Sequence, residues 1–258
     1  MPNKKKFLTQ KKLLDFLISF FILIILSPLI IIFCLIIFLS DGGNPFYISK
    51  RVGLKGKTFR IFKIRTMVKN ADKIGGTSTK NSDSRLLPVG ILIRKLKLDE
   101  LAQLFNVLNS SMSLVGPRPN TPLDVSYYSN EEMNILKVKP GITDFSSIIF
   151  ADEGEILDSY KDPDIAYNQL IRPWKSKLGL FYIAKSDLFT DLYLLLLTFI
   201  NIFNRKKALK MVSKLIEKKG GPEELVEIAK RYNQLKPSPP PGFNKPITKL
   251  KFNNYNTN

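Results

Sequence analysis

From Phe16 to Leu39 the chain is almost wholly apolar, interrupted only by Ser19, the Ser27-Pro28 pair and Cys34. As a straight helix at 1.5 Å per residue this run would reach about 36 Å, enough to cross a hydrocarbon core of ~30 Å. A second apolar helix is predicted over Phe189–Phe203, broken by Asp191, Thr198 and Asn201 and ended by Asn204-Arg-Lys-Lys207. It suits either a membrane interface, with its terminal cations toward lipid phosphates, or a protein core. Between the two, the patterns are shorter. Pro45–Met67 reads as a β-hairpin turning at Gly53-Leu-Lys-Gly56, with Lys63 and Arg65 on the face of Phe59 and Ile61. Leu98, Leu101, Leu104, Phe105 and Leu108 recur at helical spacing and predict an amphipathic helix with that face in the core. Asn130–Val138 reads as a helix ended by Pro140-Gly141. Glu223–Arg231, led in by Pro222, reads as a helix with acids first and bases last. The expected fold class is α+β, mostly helical, with a small β-hairpin.

The flanks of the first apolar run argue against a simple span. Lys4, Lys5, Lys6, Lys11 and Lys12 precede it; Lys50, Arg51, Lys55, Lys57, Arg60, Lys63 and Arg65 follow. Positive flanks favour the cytoplasmic side, and here both ends ask for it. Pro28 removes a backbone donor and crowds the preceding turn, so a break or kink is expected there, and Ser27 can bond back to a carbonyl. A re-entrant helix hinged at Ser27 and Pro28 satisfies these observations better than its rival, a kinked spanning helix. The domain order is then a basic lead over 1–12, a re-entrant membrane helix over 13–40 and a membrane-associated catalytic domain over 41–203. That domain includes an interfacial helix over 187–203. A basic helical and Pro-rich tail over 204–258 follows, with Lys236–Gly242 read as a polyproline-like linker.

Composition narrows the chemistry. The 258 residues carry a formal net charge of +18, which calls for anionic partners: nucleic acid, anionic lipid headgroups or polyphosphate substrates. Histidine is absent and Cys34 is the single cysteine. That removes Ser-His and Cys-His nucleophile pairs, cysteine zinc sites and disulfide frameworks. Carboxylate, lysine, arginine and hydroxyl groups remain, an inventory suited to phosphoryl transfer.

Asp99 and Glu100 stand at the start of the predicted Leu98–Leu108 helix, where the helix dipole favours an ionised carboxylate. Neighbouring helical residues diverge by roughly 100°, so one carboxylate can attack while the other holds a metal. Taken alone, such a pair is ordinary N-terminal dressing. Gly116-Pro-Arg-Pro119 is more telling, because two prolines stiffen the support of Arg118, whose guanidinium can grip phosphate oxygens bidentately. Lys63 and Arg65 lie side by side, as a diphosphate would need, though an edge strand carries lysine for other reasons too. Arg85 and Arg94 bracket the helix before the acidic pair, as phosphate clamps or plain surface arginines. Ala71–Ser84 is a polar loop suited to covering a site; Gly75-Gly76 within it lacks the Gly-Lys-Ser/Thr of a P-loop. Asp152 or Glu153 could reach a metal or sugar hydroxyls, although the pattern favours solvated loop acids.

The stretch from Asp41 to about Thr198 resembles the bacterial sugar transferases that prime lipid-linked glycan synthesis, the monotopic phosphoglycosyltransferases. The resemblance rests on Asn44-Pro-Phe-Tyr47, Arg51-Val-Gly53, Phe62–Met67, Asp83-Ser-Arg85, Leu98-Asp-Glu-Leu101 with Gln103, Phe105–Leu108, Met112–Pro119, Lys139–Thr143, Asp162-Pro163, Tyr182 and Asp191-Leu192. It implies transfer of a sugar 1-phosphate from a UDP-sugar to polyprenyl (undecaprenyl) phosphate, releasing UMP. It further implies Asp99 as nucleophile, Asp99 and Glu100 as ligands of an essential Mg2+, and Lys63, Arg65, Arg85, Arg94, Arg118 and Pro119 around the substrate. The implied setting is the cytoplasmic face of a bacterial inner membrane. Expected partners are anionic lipids, a second copy or downstream glycosyltransferases, and no nucleic acid. Ser111, Ala151 and Gly179 depart from the family's usual residues, which bears on sugar specificity more than on reaction type. Two other readings compete: a membrane-tethered nucleic-acid binder, which lacks any recognition motif, and a single-pass scaffold, which needs the apolar run to span.

Overall fold

The structure, a computed structural model, describes residues 4–71 and 83–248; the polar loop expected over Ala71–Ser84 lies almost entirely outside the described residues. Helix α1 runs from Lys4 to Asp41, by length and composition long and apolar enough to cross a membrane. Pro28 does not end it. Proline removes the donor that would serve the carbonyl of Ile24, and the Ser27 hydroxyl donates to that same carbonyl at 2.9 Å.

One stripe of α1 faces the rest of the chain. Ser19, Leu23, Ile30 and Ile37 are buried along it, spaced by four or seven residues. Both ends of the stripe are tied down. Lys11 Nζ pairs with Asp191 at 2.5 Å and donates to the Val115 carbonyl at 2.9 Å. Asp15 accepts from the Ser113 hydroxyl at 2.6 Å, and at the far end Asp41 takes both Nη atoms of Arg65 at 2.5 and 2.6 Å. The other faces leave Phe16, Phe20, Phe21, Ile24, Ile25, Ile31, Ile32, Leu35 and Leu39 exposed.

The hairpin follows the sequence pattern. Strands β1 (Phe46–Val52) and β2 (Thr58–Ile64) pair antiparallel from Phe46 opposite Ile64 to Val52 opposite Thr58, closed by a turn in which Gly56 has φ +75°. Helix α2 (Pro88–Lys95) then crosses the end of β2 so closely that a Cβ on Gly90 would stand 2.1 Å from the Thr66 carbonyl oxygen. A short parallel pair, β3 (Ser113–Val115) and β4 (Gly141–Thr143), forms the second sheet. Its strands meet at Gly116 and Gly141, where a Cβ on Gly141 would fall 2.1 Å from the Gly116 nitrogen. Only glycine permits that approach.

Helices complete the fold: α3 (Leu104–Leu108), α4 (Pro122–Ser126), α5 (Phe145–Ile149), α6 (Glu153–Asp158), α7 (Pro163–Ala166) and α8 (Arg172–Lys185), then α9 (Leu188–Phe203), α10 (Arg205–Lys218) and α11 (Glu223–Lys230). The helix expected over Asn130–Val138 is a 3₁₀ segment, Glu132–Lys137. The core gathers Phe145, Ile148, Leu178, Leu194 and Val212 from α5, α8, α9 and α10. Each such side chain contributes about 1.5–3 kcal/mol when fully buried. Helix α9 buries Leu194 and Leu197 but exposes Phe189, Leu192, Leu196, Phe199 and Phe203, so it is half core and half open apolar stripe. The tail does not run free as a linker. The carbonyl of Pro241 accepts from the Ser129 hydroxyl at 2.6 Å, and Gln169 bonds the backbone of Ser238 and Ile247.

Candidate active site

Lys97 takes a left-handed backbone, φ 57°, and turns the chain out of α2 into a six-residue 3₁₀ segment, Leu98–Gln103, which runs on into α3. The amphipathic α-helix expected over Leu98–Leu108 is therefore split, and its buried face differs from the predicted one. Phe105 is exposed, while Asn106 is fully buried. Asn106 accepts from the Phe62 N–H at 2.9 Å and donates to the Arg60 carbonyl at 2.7 Å, which clips α3 to β2. A 3₁₀ turn has three residues per turn, so the side chains of Asp99 and Glu100 still diverge.

They meet different partners. Arg118 holds Glu100 through two hydrogen bonds of 2.8 Å, and its Nη1 also donates to the Ile142 carbonyl at 3.0 Å. The Gly116–Gly141 contact sets the loop on which Arg118 rides. Asp99 is buried and accepts no hydrogen bond among the described residues; its charge partner is Lys63, 3.8 Å away. Lys63 also stands 3.9 Å from Glu100.

The environments push the two acids apart. Burial raises the Asp99 carboxyl above its ordinary value, and Lys63 only partly opposes it. Burial also acts on Glu100, but there Arg118 and Lys63 win and hold the carboxyl well below the usual range. The dipole argument expected an ionised pair alike; instead burial separates Asp99 from its neighbour. Burial lowers the Lys63 ammonium, against the two carboxylates.

The other predicted site residues are dispersed. Arg118 and Lys63 reach the acidic pair. Pro119 lines a small cleft with Pro117, Asn120 and Tyr128, next to Arg118. Arg94, at the end of α2, sits where its charge acts on both Asp83 and Asp99. Arg65 is not brought to the pair: it is the Asp41 latch, and Asn44 takes its Nε at 2.7 Å. Arg85 is held by Asp83 at 2.6 Å and by the Ala71 carbonyl at 3.1 Å. Among the described residues no three His, Cys, Asp or Glu side chains gather to hold a metal. The two hard carboxylates suit Mg2+, which is usually bound by one or two carboxylates together with substrate phosphates.

This geometry coincides with a match along most of the chain. Residues 5–205 fit the model of the bacterial sugar transferases. The chain belongs to that family. An undecaprenyl-phosphate galactose phosphotransferase of Salmonella typhimurium is 39% identical over 148 residues, covering 52% of this chain and 31% of the longer protein. A putative undecaprenyl-phosphate N-acetylgalactosaminyl 1-phosphate transferase of Bacillus subtilis is 37% identical over 126 residues, covering 49% of this chain and 70% of the relative. The exopolysaccharide production protein ExoY of Sinorhizobium fredii is 36% identical over 149 residues, covering 52% of this chain and 66% of ExoY. The chain thus spans about two thirds of the shorter of these relatives and about a third of the longer.

A second polar cluster joins residues that the sequence leaves apart. Glu153, expected as a solvated loop acid, forms an ion pair with Lys175 of α8, whose ammonium lies 5.2 Å from the centre of the Tyr167 ring. Asp152 is likewise paired, with Arg205 at 2.8 Å and Arg231 at 2.9 Å. Tyr167 opens a π-helical segment, Tyr167–Ile171, a distortion frequent at functional sites. Of the departures from the family pattern, Ser111 caps the buried Asn106 amide at 3.1 Å. Gly179 lies under Pro117, where a Cβ would make ordinary contact at 3.5 Å. Ala151 adds no polar group between Phe150 and Asp152.

Proposed function

We propose that the protein transfers a sugar 1-phosphate from a UDP-sugar to polyprenyl (undecaprenyl) phosphate. This is the first membrane step of a lipid-linked glycan. One observation carries the mechanism: of two adjacent carboxylates, Glu100 is locked by Arg118 while Asp99 is buried, raised in basicity and, among the described residues, without a hydrogen bond. Paired carboxylates driven apart by their surroundings take separate roles. Asp99 is the nucleophile. Its oxygen forms a bond to the β-phosphorus as the bond from that phosphorus to the bridging oxygen breaks, and UMP leaves. A phosphate oxygen of the polyprenyl phosphate then attacks the same phosphorus and frees Asp99. Lys63 and Arg118 balance charge on the transferring phosphoryl group. Asp99 and Glu100 would hold Mg2+, which when bound supplies positive charge against the diphosphate.

The membrane arrangement in this reading draws its support from α1. A helix whose two ends dock on the same domain, with apolar faces left open, suits re-entry from one leaflet rather than passage through the bilayer. The open stripe of α9 suits the same interface. With soluble nucleotide sugar as donor, the catalytic domain lies on the cytoplasmic face of the inner membrane. The test is UMP release by the full chain in nanodiscs containing polyprenyl phosphate, over a panel of UDP-sugars. At least one donor should release UMP and yield a lipid-linked sugar phosphate, and Asp99→Asn should abolish both. Near-normal turnover by Asp99→Asn would remove the nucleophile assignment.

A further inference from the structure

The catalytic chemistry above leaves the Glu153–Lys175–Tyr167 cluster without a task. Glu153 opens α6 and Lys175 lies 22 residues later in α8, so the fold, not the local chain, brings them together. Lys175 holds Oε2 of Glu153, and Oε1 has no hydrogen-bonding partner among the described residues. The carboxylate is about a third exposed, 32%, so that free oxygen can meet a ligand. The cluster is also linked by charge to the reacting end of the site. After Lys175, the charges that act most on Glu153 are those of Arg118 and Lys97, and Arg118 is the residue that grips Glu100.

The loop bearing Glu153 is braced from outside the family's span. The family match ends at residue 205, yet Arg231 pairs with Asp152 and lies 5.3 Å over the Phe150 ring. Arg231 itself has a left-handed backbone, φ 54°, at the end of α11. Arg205 adds a second bond from the start of α10, to the Ile149 carbonyl at 3.1 Å. Two arginines spent on one aspartate fix where the next residue, Glu153, points.

We propose that Glu153 and Lys175 read the sugar of the donor: Oε1 of Glu153 accepts from a ring hydroxyl, and Lys175, positioned by Tyr167, donates to a neighbouring oxygen. The inference rests on the proposed transferase reaction, because the sugar there is joined to the phosphorus that Asp99 attacks and must lie beside the Asp99–Arg118 region. A uracil base, a phosphate and a ribose further away, would not. A carboxylate placed to accept from a donor hydroxyl discriminates against donors lacking it.

The experiment measures kcat/KM over a panel of UDP-sugars and deoxy-sugar analogues for the wild type, Glu153→Gln and Lys175→Met, with UMP inhibition as a second readout. For the preferred donor, Glu153→Gln should lose about 10- to 100-fold, the worth of a charged hydrogen bond. Removing the recognised hydroxyl from the donor should cost the wild type a similar factor and the variant little, since the partner is already gone. UMP inhibition should stay within about twofold, because the nucleotide contacts are untouched. An unchanged sugar ranking in both variants overturns the inference and leaves the transferase reading standing. Loss of UMP inhibition together with activity, repeated in the milder Glu153→Asp, would make the pair a prop of the fold and also overturns it. No UMP from the wild type with any donor overturns the transferase reading and the inference with it.

Discussion

Lys63 stands almost equidistant from the two acids, 3.8 Å from Asp99 and 3.9 Å from Glu100, at the end of a strand that Asn106 clips to the acidic segment. Its charge serves both: it opposes the burial that raises Asp99 and adds to the pull of Arg118 on Glu100. Replacing it by methionine keeps the stem and removes the charge. Asp99 should then titrate at higher pH, so the acid limb of the kcat/KM profile should move up in pH. Turnover at the optimum should fall by about 10²-fold, the usual cost of one preorganised charge donor. A profile that keeps its acid limb in place would mean that Asp99 is not the titrating group.

Asp99 also carries a cost in stability. Its carboxyl is raised in the folded state, chiefly by burial. Above that raised value the native protein holds a buried charge that the unfolded chain would solvate, and stability is reduced. As pH falls through the folded value the cost declines, and below the unfolded value, about 3.9, it is gone. Asp99→Asn should therefore melt higher than the wild type at pH 7–8, with the gap closing as pH approaches 4. Each kcal/mol recovered is worth about 2–4 °C in a domain of this size. Glu100 behaves in the opposite sense: held low by Arg118, it adds stability above about pH 4.3 that is lost on further acidification. Thermal melts of wild type, Asp99→Asn and Glu100→Gln across pH 4–8 separate the two. An Asp99→Asn protein that melts lower at pH 8 would contradict the burial argument.

The hairpin and the helices α1 and α9 were legible because alternation, glycine turns and apolar runs are local signals, whereas α8 and α10 were not foreseen. The acidic pair was legible too, as a motif. What failed was local shape. A left-handed Lys97 splits the expected helix, and Asn106 finds its partners 44 and 46 residues away, so the spacing of leucines could not reveal that asparagine replaces Phe105 in the core. Among the cations, sequence could not rank availability. Arg65 and Arg85 share the composition of Lys63 and Arg118, but Asp41 and Asp83 already hold them. The Asp83-Ser-Arg85 spacing contained that answer; the Asp41–Arg65 tie, across 24 residues, did not. Glu153 was legible only as a loop acid able to reach a metal or sugar hydroxyls, and Lys175 carried no signal, since their meeting depends on the fold that brings α6 to α8.

The proposed metal dependence rests on the donor set. Hard carboxylate oxygens without histidine or cysteine favour Mg2+ or Mn2+ over Zn2+. Exhaustive chelation should reduce UMP release to background, Mg2+ or Mn2+ should restore it, and Zn2+ should not. Asp99→Asn and Glu100→Gln should weaken Mn2+ binding read by electron paramagnetic resonance in the presence of UMP. Full activity after chelation would leave charge neutralisation to Lys63 and Arg118 alone.

The two ties on α1 give the membrane geometry a test of its own. At one end Lys11 and Asp15 bind the β3 edge and Asp191, and at the other Asp41 binds Arg65. Between them Ser27 serves the carbonyl that Pro28 leaves without a donor. Pro28→Leu restores that donor and favours a straight helix of spanning length, but the Lys11 tie still holds the N-terminal half in place. Pro28→Leu alone should therefore change little, whereas Pro28→Leu combined with Lys11→Leu should let part of the protein place its N-terminus across the membrane. A cysteine at Lys6, in a background with Cys34→Ser, reports the outcome with a membrane-impermeant reagent on intact spheroplasts. The parent should stay unlabelled until the membrane is opened, and the double variant should label in part. Labelling of the parent in intact spheroplasts would mean that α1 spans, and re-entry would be the wrong account of why both its ends dock on one domain.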